Sequence, residues 1–416
     1  MREPSPWSLY TRCLFALLLP AACGQTGDDD DGADSATDGA STSSASASMS
    51  TTQASDPTVT ATGPSTTAPT TTAPNTTTVD DTGESGDSSE TGIDPGPPAV
   101  HYVGRYDDSD PSRVRLGWSG VGFVVRFDGT GVTARIDDAG QYMTVVIDGE
   151  QQANLVTAGG EQDFVIATGL PAGEHVVEVY RRTEGSFGVT TVLDVTVEGE
   201  LLPPPVVDRR IEIVGDSITA GYGNEGVSPC GFSAETENHF MTYGAIAART
   251  VGAELSTVAW SGKGIIFNYG EDTNQPMPTL YDRTVAVEEA GWDHAAWQPD
   301  VVVVNLGTND FSTEGDPSEE QYVGTYVEFA AHLREVNPEA FILLVSPSLF
   351  GEEVGLVDGY LQSVVAQRQQ AGDDAIATAN INVDWIGSGC DGHPSIPTHE
   401  GMAARLVEEL GTHVGW

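Results

Sequence analysis

The chain has 416 residues, 39% of them hydrophobic, with seven tryptophans, enough to bury at least one substantial core and room for two folded domains. Its formal net charge of -45 and pI near 4.1 set nucleic acid and anionic membrane surfaces aside as partners, because both would be repelled over the whole surface. Polyuronate substrates are disfavoured for the same reason, and solubility or adaptation to salt accounts for the acidity without a functional role.

Residues 1–23 read as an export signal. Arg2 and Arg12 flank a short basic region, and Cys13 to Ala22 supply an apolar stretch too short to span a bilayer. Leu19-Pro20-Ala21-Ala22-Cys23-Gly24 is similar to a bacterial lipobox, with proline where leucine is usual. Either Cys23 is lipidated and becomes the mature N-terminus, or cleavage follows a small residue in the ordinary way. The expectation is an extracytoplasmic protein, secreted or held at the cell surface or outer membrane of a bacterium as a lipoprotein, with a lipid anchor as its only tie to a membrane. Residues 24–98 are rich in Asp, Ser, Thr, Ala, Gly and Pro and lack Lys and Arg, so this acidic stretch cannot offset the entropy of ordering and reads as a disordered, extended linker.

From residue 99 to 202 the texture changes to short alternating runs: Val114-Leu116, Gly122-Phe127, Gly131-Ile136, Tyr142-Ile147, Asp163-Thr168, His175-Tyr180 and Thr190-Val197. Asp128-Gly129, Asp148-Gly149 and Ala158-Gly159-Gly160 read as turns, so the segment is expected to form an all-β sandwich of the jelly-roll kind. Gly117-Trp118-Ser119-Gly120 lacks the second glycine of a serine elbow and stands between strands, which makes it structural. Pro203-Pro204-Pro205 then forms a stiff boundary.

Residues 208–416 alternate strand with helix. Strands are expected at Ile211-Val214, Glu254-Trp260, Val301-Asn305, Phe341-Val345 and Ala375-Val383, with helices around Tyr243 to Val251, Thr284 to Ala296, Glu319 to Val336 and Glu400 to Leu410. Such alternation predicts a three-layer α/β fold with a parallel sheet, whose ligands bind beyond the carboxyl ends of the strands.

The candidates for chemistry all fall on that edge. Ser217 in Gly215-Asp216-Ser217-Ile218-Thr219 follows the first strand, Gly262-Lys263-Gly264 the second, Gly307-Thr308-Asn309-Asp310 the third and Asp391-Gly392-His393-Pro394 the last. An ester hydrolase needs a serine, a base to take its proton, and preorganised donors for the tetrahedral oxyanion. Ser217, His393 and the pair Gly262 and Asn309 supply those types in order. Each block alone is an ordinary turn sequence, and it is the ordered set of four that points to a catalytic site. His399 is the rival base, but its place near the start of the last helix suits capping and packing better. His239 and the other histidines lack metal-ligand spacing and no cofactor motif occurs, so neither metal nor cofactor is expected.

These blocks resemble the four signature blocks of the SGNH (GDS-type) hydrolases over roughly Arg209 to Trp416. Within that superfamily the upstream sandwich and the strings Trp260-Ser261-Gly262-Lys263-Gly264, Tyr243-Gly244-Ala245-Ile246-Ala247-Ala248-Arg249 and Gly389-Cys390-Asp391 resemble carbohydrate esterase family 2, which joins a jelly roll to a flavodoxin-like SGNH domain and deacetylates plant polysaccharides. The resemblance implies Ser217 as nucleophile, His393 as general base and then acid, and an oxyanion hole made by the amides of Ser217 and Gly262 with the Asn309 side chain. It implies Asp391 as orienter of His393, or else a Ser-His dyad with a backbone carbonyl in that place. Two departures stand out: most members space Asp and His one residue further apart, where this chain has Cys390, and Gly392 replaces a commonly aromatic residue. Trp260, Phe311 and Trp385, together with Asp310, are the candidates for a sugar subsite, core packing being the other account of the aromatic ones. Cys230 and Cys390, lone cysteines in an exported chain, either pair, clamping the loop after Ser217 to the loop bearing His393, or stay buried thiols. The expected partner is an acetylated polysaccharide of xylan, mannan or glucomannan type. Peptidoglycan O-acetylesterase or lipase activity, and a non-catalytic glycan-binding role, are the alternatives.

Overall fold

The computed structural model describes residue 97 and residues 99–313, 315–349 and 353–416. The expected export signal of residues 1–23, Cys23 included, and, apart from Pro97, the expected linker of residues 24–98 lie outside the described residues. Among the described residues, ten strands between His101 and Leu202 form one antiparallel sheet system. Its axis is a 17-residue strand, Gly122–Asp138. That strand pairs with Gly173–Arg181 along its first half, with Gly160–Ala167 along its second, and with Thr190–Leu202 along most of its length. Val125, Phe127, Ile136, Val145 and Val177 share the resulting core.

Two expected strands are therefore one, and Asp128-Gly129 is not a turn. Gly129 runs so close to the neighbouring strand that a Cβ would stand 2.2 Å from the Glu198 carbonyl oxygen, and only glycine lets the ladder continue there. Asp148-Gly149 does turn the chain, with φ of 51° and 82°, joining Tyr142–Ile147 to Glu150–Gln151.

After Leu202 the chain enters a sheet of five parallel strands in the spatial order Glu254–Ala259, Arg210–Gly215, Val301–Asn305, Phe341–Val345 and Ile376–Ala379. The near-continuous apolar runs are those of strands covered on both faces. Ile211, Ile213, Val301 and Val303 pack under the helices Tyr243–Val251 and Ile396–Val414, whereas Val302, Val304, Ile342 and Leu344 pack under Glu319–Val336 and Glu353–Gln370. Burying such a side chain stabilises the fold by about 1.5–3 kcal/mol relative to exposure.

The helix expected over Thr284 to Ala296 does not form, apart from a single 3-10 turn at His294–Ala296. Its backbone bonds across a loop instead, Thr284 N donating to Ala290 O at 3.0 Å, while Val285 and Ala286 are buried. The last helix begins earlier than read, at Ile396, with Pro397 in its first turn, where the missing N–H costs nothing.

Both domains belong to one compact unit, and their junction is polar as well as packed. Arg105, 1% exposed, donates to Glu212 of the first parallel strand at 3.0 Å, and Tyr281 donates to the other Glu212 oxygen at 2.6 Å. No helix among the described residues is long and apolar enough to cross a membrane.

Candidate active site

The strand Arg210–Gly215 carries the chain to the carboxyl edge of the sheet, where it turns at Asp216 into the short helix Ser217–Ala220. Asp216 caps that turn by accepting the Ile218 N–H at 3.0 Å, and burial pushes its carboxyl up to about 7. Ser217 is thereby held at the first helical position, 6% exposed. From the far side of the site His393 brings Nε2 to 2.9 Å from Ser217 Oγ. The loop carrying it is closed on itself, Gly389 N donating to His393 O at 2.8 Å, and the disulfide Cys230–Cys390 ties it to the segment that follows Ser217.

Burial lowers the imidazole pKa from 6.5, opposed by the backbone carbonyls of Cys390 and Asp391 and by the Asp391 charge. The neutral ring, the form able to accept a serine proton, is therefore favoured near neutral pH. His399 is excluded as the base by its position: it is buried, accepts the Tyr243 N–H on Nδ1 at 3.2 Å, and burial drives its pKa to about 3.

The Asp391 carboxylate does not reach His393. The residue adopts left-handed backbone (φ 50°, ψ 30°), and Oδ2 accepts the Tyr222 O–H at 2.6 Å and the Phe232 N–H at 3.1 Å. Nδ1 of His393 meets no side-chain partner among the described residues, and the groups that act on the ring from the protein side are the backbone carbonyls of Cys390 and Asp391, short of full hydrogen-bond geometry. What braces the ring is Tyr222, stacked on it at 4.0 Å, with Phe232 stacked on Tyr222 at 4.1 Å. Asp391 thus bears on the base through the tyrosine it holds, its left-handed backbone carrying the carboxylate to Tyr222 and Phe232.

Gly262, with φ of 78°, and Asn309 stand at the ends of the neighbouring strands. Neither the Ser217 nor the Gly262 amide donates to another described residue. Asn309 Nδ2 donates to Lys263 O at 2.8 Å and more weakly to Asp216 at 3.3 Å, which ties the second, third and first strand ends together.

Two of the expected subsite residues are elsewhere. Asp310 is 1% exposed and accepts the N–H groups of Ile265, Ile266 and Phe267 at 2.8–2.9 Å, so its carboxylate organises the loop after Gly262. Phe311 is 7% exposed and packs edge-on to Tyr322 in the core. Trp260 and Trp385 are each half-buried, Trp260 lying edge-on to Trp118 at 6.5 Å. Sequence reasoning missed the ring stack of Tyr222 and Phe232. Their spacing from Ser217 and Cys230 was the available signal, since pairing Cys230 with Cys390 brings Phe232 against Asp391.

Both domains match known proteins. Residues 102–205 match the family model described as carbohydrate esterase 2 N-terminal, and residues 213–402 match the GDSL-like lipase/acylhydrolase family. A solved family two carbohydrate esterase from Clostridium thermocellum, in complex with cellohexaose, superposes with a TM-score of 0.73 and 34% identity, covering 76% of this chain and 100% of that one. The cellulase/esterase CelE of Acetivibrio thermocellus is 35% identical over 329 residues, 77% of this chain, which spans 40% of that protein's length. An acetylxylan esterase / glucomannan deacetylase of Cellvibrio japonicus is 28% identical over 327 residues, 77% of this chain and 90% of that protein. With a sandwich joined to a GDS-type α/β domain, and a serine and a histidine in contact on its carboxyl edge, the chain belongs to carbohydrate esterase family 2 and is a carboxylic ester hydrolase.

Proposed function

We propose that the protein removes O-acetyl groups from a neutral plant-type polysaccharide, xylan, mannan or glucomannan, by acyl transfer through Ser217. The observation that carries this reading is the 2.9 Å contact between Ser217 Oγ and His393 Nε2, within the range required of a nucleophile and its base. Ser217 Oγ attacks the acetyl carbonyl carbon as His393 takes its proton. The oxyanion is met by the amides of Ser217 and Gly262 and by Asn309 Nδ2. The imidazolium then protonates the departing sugar oxygen, leaving an acetyl-serine. Water, deprotonated by His393, attacks that ester, and acetate leaves as Ser217 recovers the proton. The net charge of -45 suits a neutral substrate rather than a polyanion, and Tyr222 with Phe232 supplies aromatic surface beside the base where residue 392 is glycine. Acetate release across acetylated xylan, glucomannan and peptidoglycan tests the reading. Release from the plant-type glycans is expected, and release confined to peptidoglycan or to long acyl esters overturns it.

Asp391 acts in this reading by holding Tyr222 against the imidazole, so the catalytic pair is a Ser-His dyad. Asp391→Asn, which still offers an acceptor to both donors, is expected to lower kcat by about 10-fold or less. A direct triad acid would cost about 10⁴-fold in the same substitution, and a loss of that size in acetyl-ester assays would restore the triad.

The lowered pKa of His393 gives a sign to the pH dependence. Protonation removes the base, and a depressed pKa keeps the ring neutral to lower pH. The acid limb of kcat/KM is therefore expected at a midpoint below 6.5, the ordinary imidazole value. A pH–rate profile with its midpoint above 6.5 would count against His393 in this environment.

The chain is read further as exported, because the Cys230–Cys390 disulfide suits an oxidising compartment. Anchoring through Cys23 is the finer form of that reading, tested by metabolic labelling with a palmitate analogue and loss of label in Cys23→Ser.

A further inference from the structure

One turn of the β-sandwich lies against the loop that carries Gly262. Between the strands Gly173–Arg181 and Thr190–Leu202 lies Glu184, 2% exposed, whose Oε2 accepts the Ser261 N–H at 2.7 Å and whose Oε1 accepts the Ser186 O–H at 2.6 Å. Ser261 directly precedes Gly262. On its other side the Trp260 ring meets Trp118 of the sandwich, fully buried, which donates Nε1 to Arg283 O at 3.3 Å.

The turn that presents Glu184 is itself fixed. Arg181, 1% exposed, donates to Thr183 O at 2.9 Å and to Glu184 O at 2.8 Å, and the Glu184 N–H donates to Glu237 at 3.2 Å. The two domains meet there almost backbone to backbone: a Cβ on Gly185 would stand 2.4 Å from Ala286 Cβ. Burial raises the Glu184 pKa, and the bonds from Ser186 and Ser261 and the charge of Arg181 oppose that rise.

Each residue has only two soft backbone torsions. With the Ser261 amide pinned on one side and the Gly262 carbonyl, which accepts the Tyr269 N–H at 2.8 Å, pinned on the other, the peptide between them, which carries the Gly262 N–H, has little freedom to swing. We propose that Glu184 is a positioning residue for ester hydrolysis: through Ser261 it holds the Gly262 amide toward the oxyanion that forms at Ser217, so the sandwich completes the active site. This rests on the acyl-transfer reading above, in which that amide is an oxyanion donor. A carboxylate acceptor suits the role because a charge-assisted bond is shorter and roughly twice as strong as a neutral one. The catalytic contribution of the N-terminal domain then lies in geometry at the reacting centre, independently of any hold on the polysaccharide.

The test compares Glu184→Met, which fills similar volume without an oxygen, with Glu184→Gln, which keeps an acceptor for Ser261. Hydrolysis of an activated acetyl ester and inactivation by a phosphonate, whose phosphoryl oxygen occupies the oxyanion position, are measured in the full chain. Glu184→Met is expected to lose about 10-fold to 100-fold in kcat, with KM within about twofold and a parallel drop in phosphonylation rate. Glu184→Gln is expected to recover most of both. A folded Glu184→Met with wild-type kcat overturns the proposal. So does a Glu184→Gln as slow as the methionine variant, or, should the methionine variant not fold, a folded Glu184→Gln whose kcat and phosphonylation rate fall about 100-fold. Failure of the wild-type protein to hydrolyse acetyl esters through Ser217 would instead remove the underlying reading, and the two failures are distinct.

Discussion

Replacing Ser217 with alanine is expected to lower hydrolysis of an activated acetyl ester by on the order of 10⁶-fold, the scale seen when a serine hydrolase loses its nucleophile. The loss is specific because the deleted atom is the one that forms the acyl-enzyme. The oxyanion donors and substrate contacts remain, so what survives is attack by water on a bound ester, still faster than in free solution. Stability should change little. Ser217 is 6% exposed, and its hydroxyl bonds a histidine whose loop is separately tied by the Cys230–Cys390 disulfide. The checks are kcat for a chromogenic acetate and thermal unfolding on the same preparation. Turnover within tenfold of wild type by a folded Ser217→Ala protein would falsify the nucleophile assignment.

Asn309→Ala is expected to reduce kcat by about 10²-fold to 10³-fold, the usual effect of losing one oxyanion donor. Its Nδ2 now donates to Lys263 O at 2.8 Å and, over a weaker 3.3 Å, to Asp216. The second bond is the one to be surrendered as the oxyanion develops, since catalytic hydrogen bonds commonly tighten only in the transition state. A purely architectural asparagine would behave differently. Its removal would free the strand-end loops, lowering the unfolding temperature and raising KM, with kcat falling only as far as the fold loosens. The predicted signature is a loss in kcat with KM nearly unchanged, because the interaction strengthens only in the transition state. If acetyl-ester kinetics return a near-normal kcat, Asn309 leaves the oxyanion hole.

Glu184 adds a constraint that no motif in the esterase domain contains. The loop that carries Gly262 is held from its own domain by Asp310, which accepts three successive amides after Gly264, and from the sandwich by Glu184. The loop is thus gripped on both sides of Gly262. Electrostatic stabilisation depends on donors that need not reorganise during the reaction, and the packed junction beneath that loop supplies the rigidity.

Much of this protein could be read from residue order. The apolar run Val301–Asn305 reads as a buried parallel strand, and Ser318 with Gln321 forms the capping box that begins the helix Glu319–Val336. Four short blocks, after the first three parallel strands and after the last, place Ser217, Gly262, Asn309 and His393 on one edge, because a parallel sheet gathers its carboxyl ends there. The helix Glu353–Gln370 was less legible, since only Val357, Leu361 and Val364 among its described residues are buried and they make a thin stripe. The segment Thr284 to Ala296 misled for the opposite reason. Its apolar residues suit a helix, yet Val285 and Ala286 press against Gly117 and Gly185 of the sandwich and Trp292 lies edge-on to Tyr106, while Val287 stays exposed.

What local sequence determines here is every choice that depends on neighbours along the chain: strand, helix, cap, and the residue type at each strand end. The tertiary structure alone decided where the carboxylates went. Asp391 stands two residues from His393 and bonds Tyr222 and Phe232 instead, while Glu184, 77 residues before Ser261, accepts the N–H of Ser261 beside Gly262. Side-chain hydrogen bonds act over about 3 Å in space. A left-handed turn and a domain junction set those distances, and neither is written in sequence spacing.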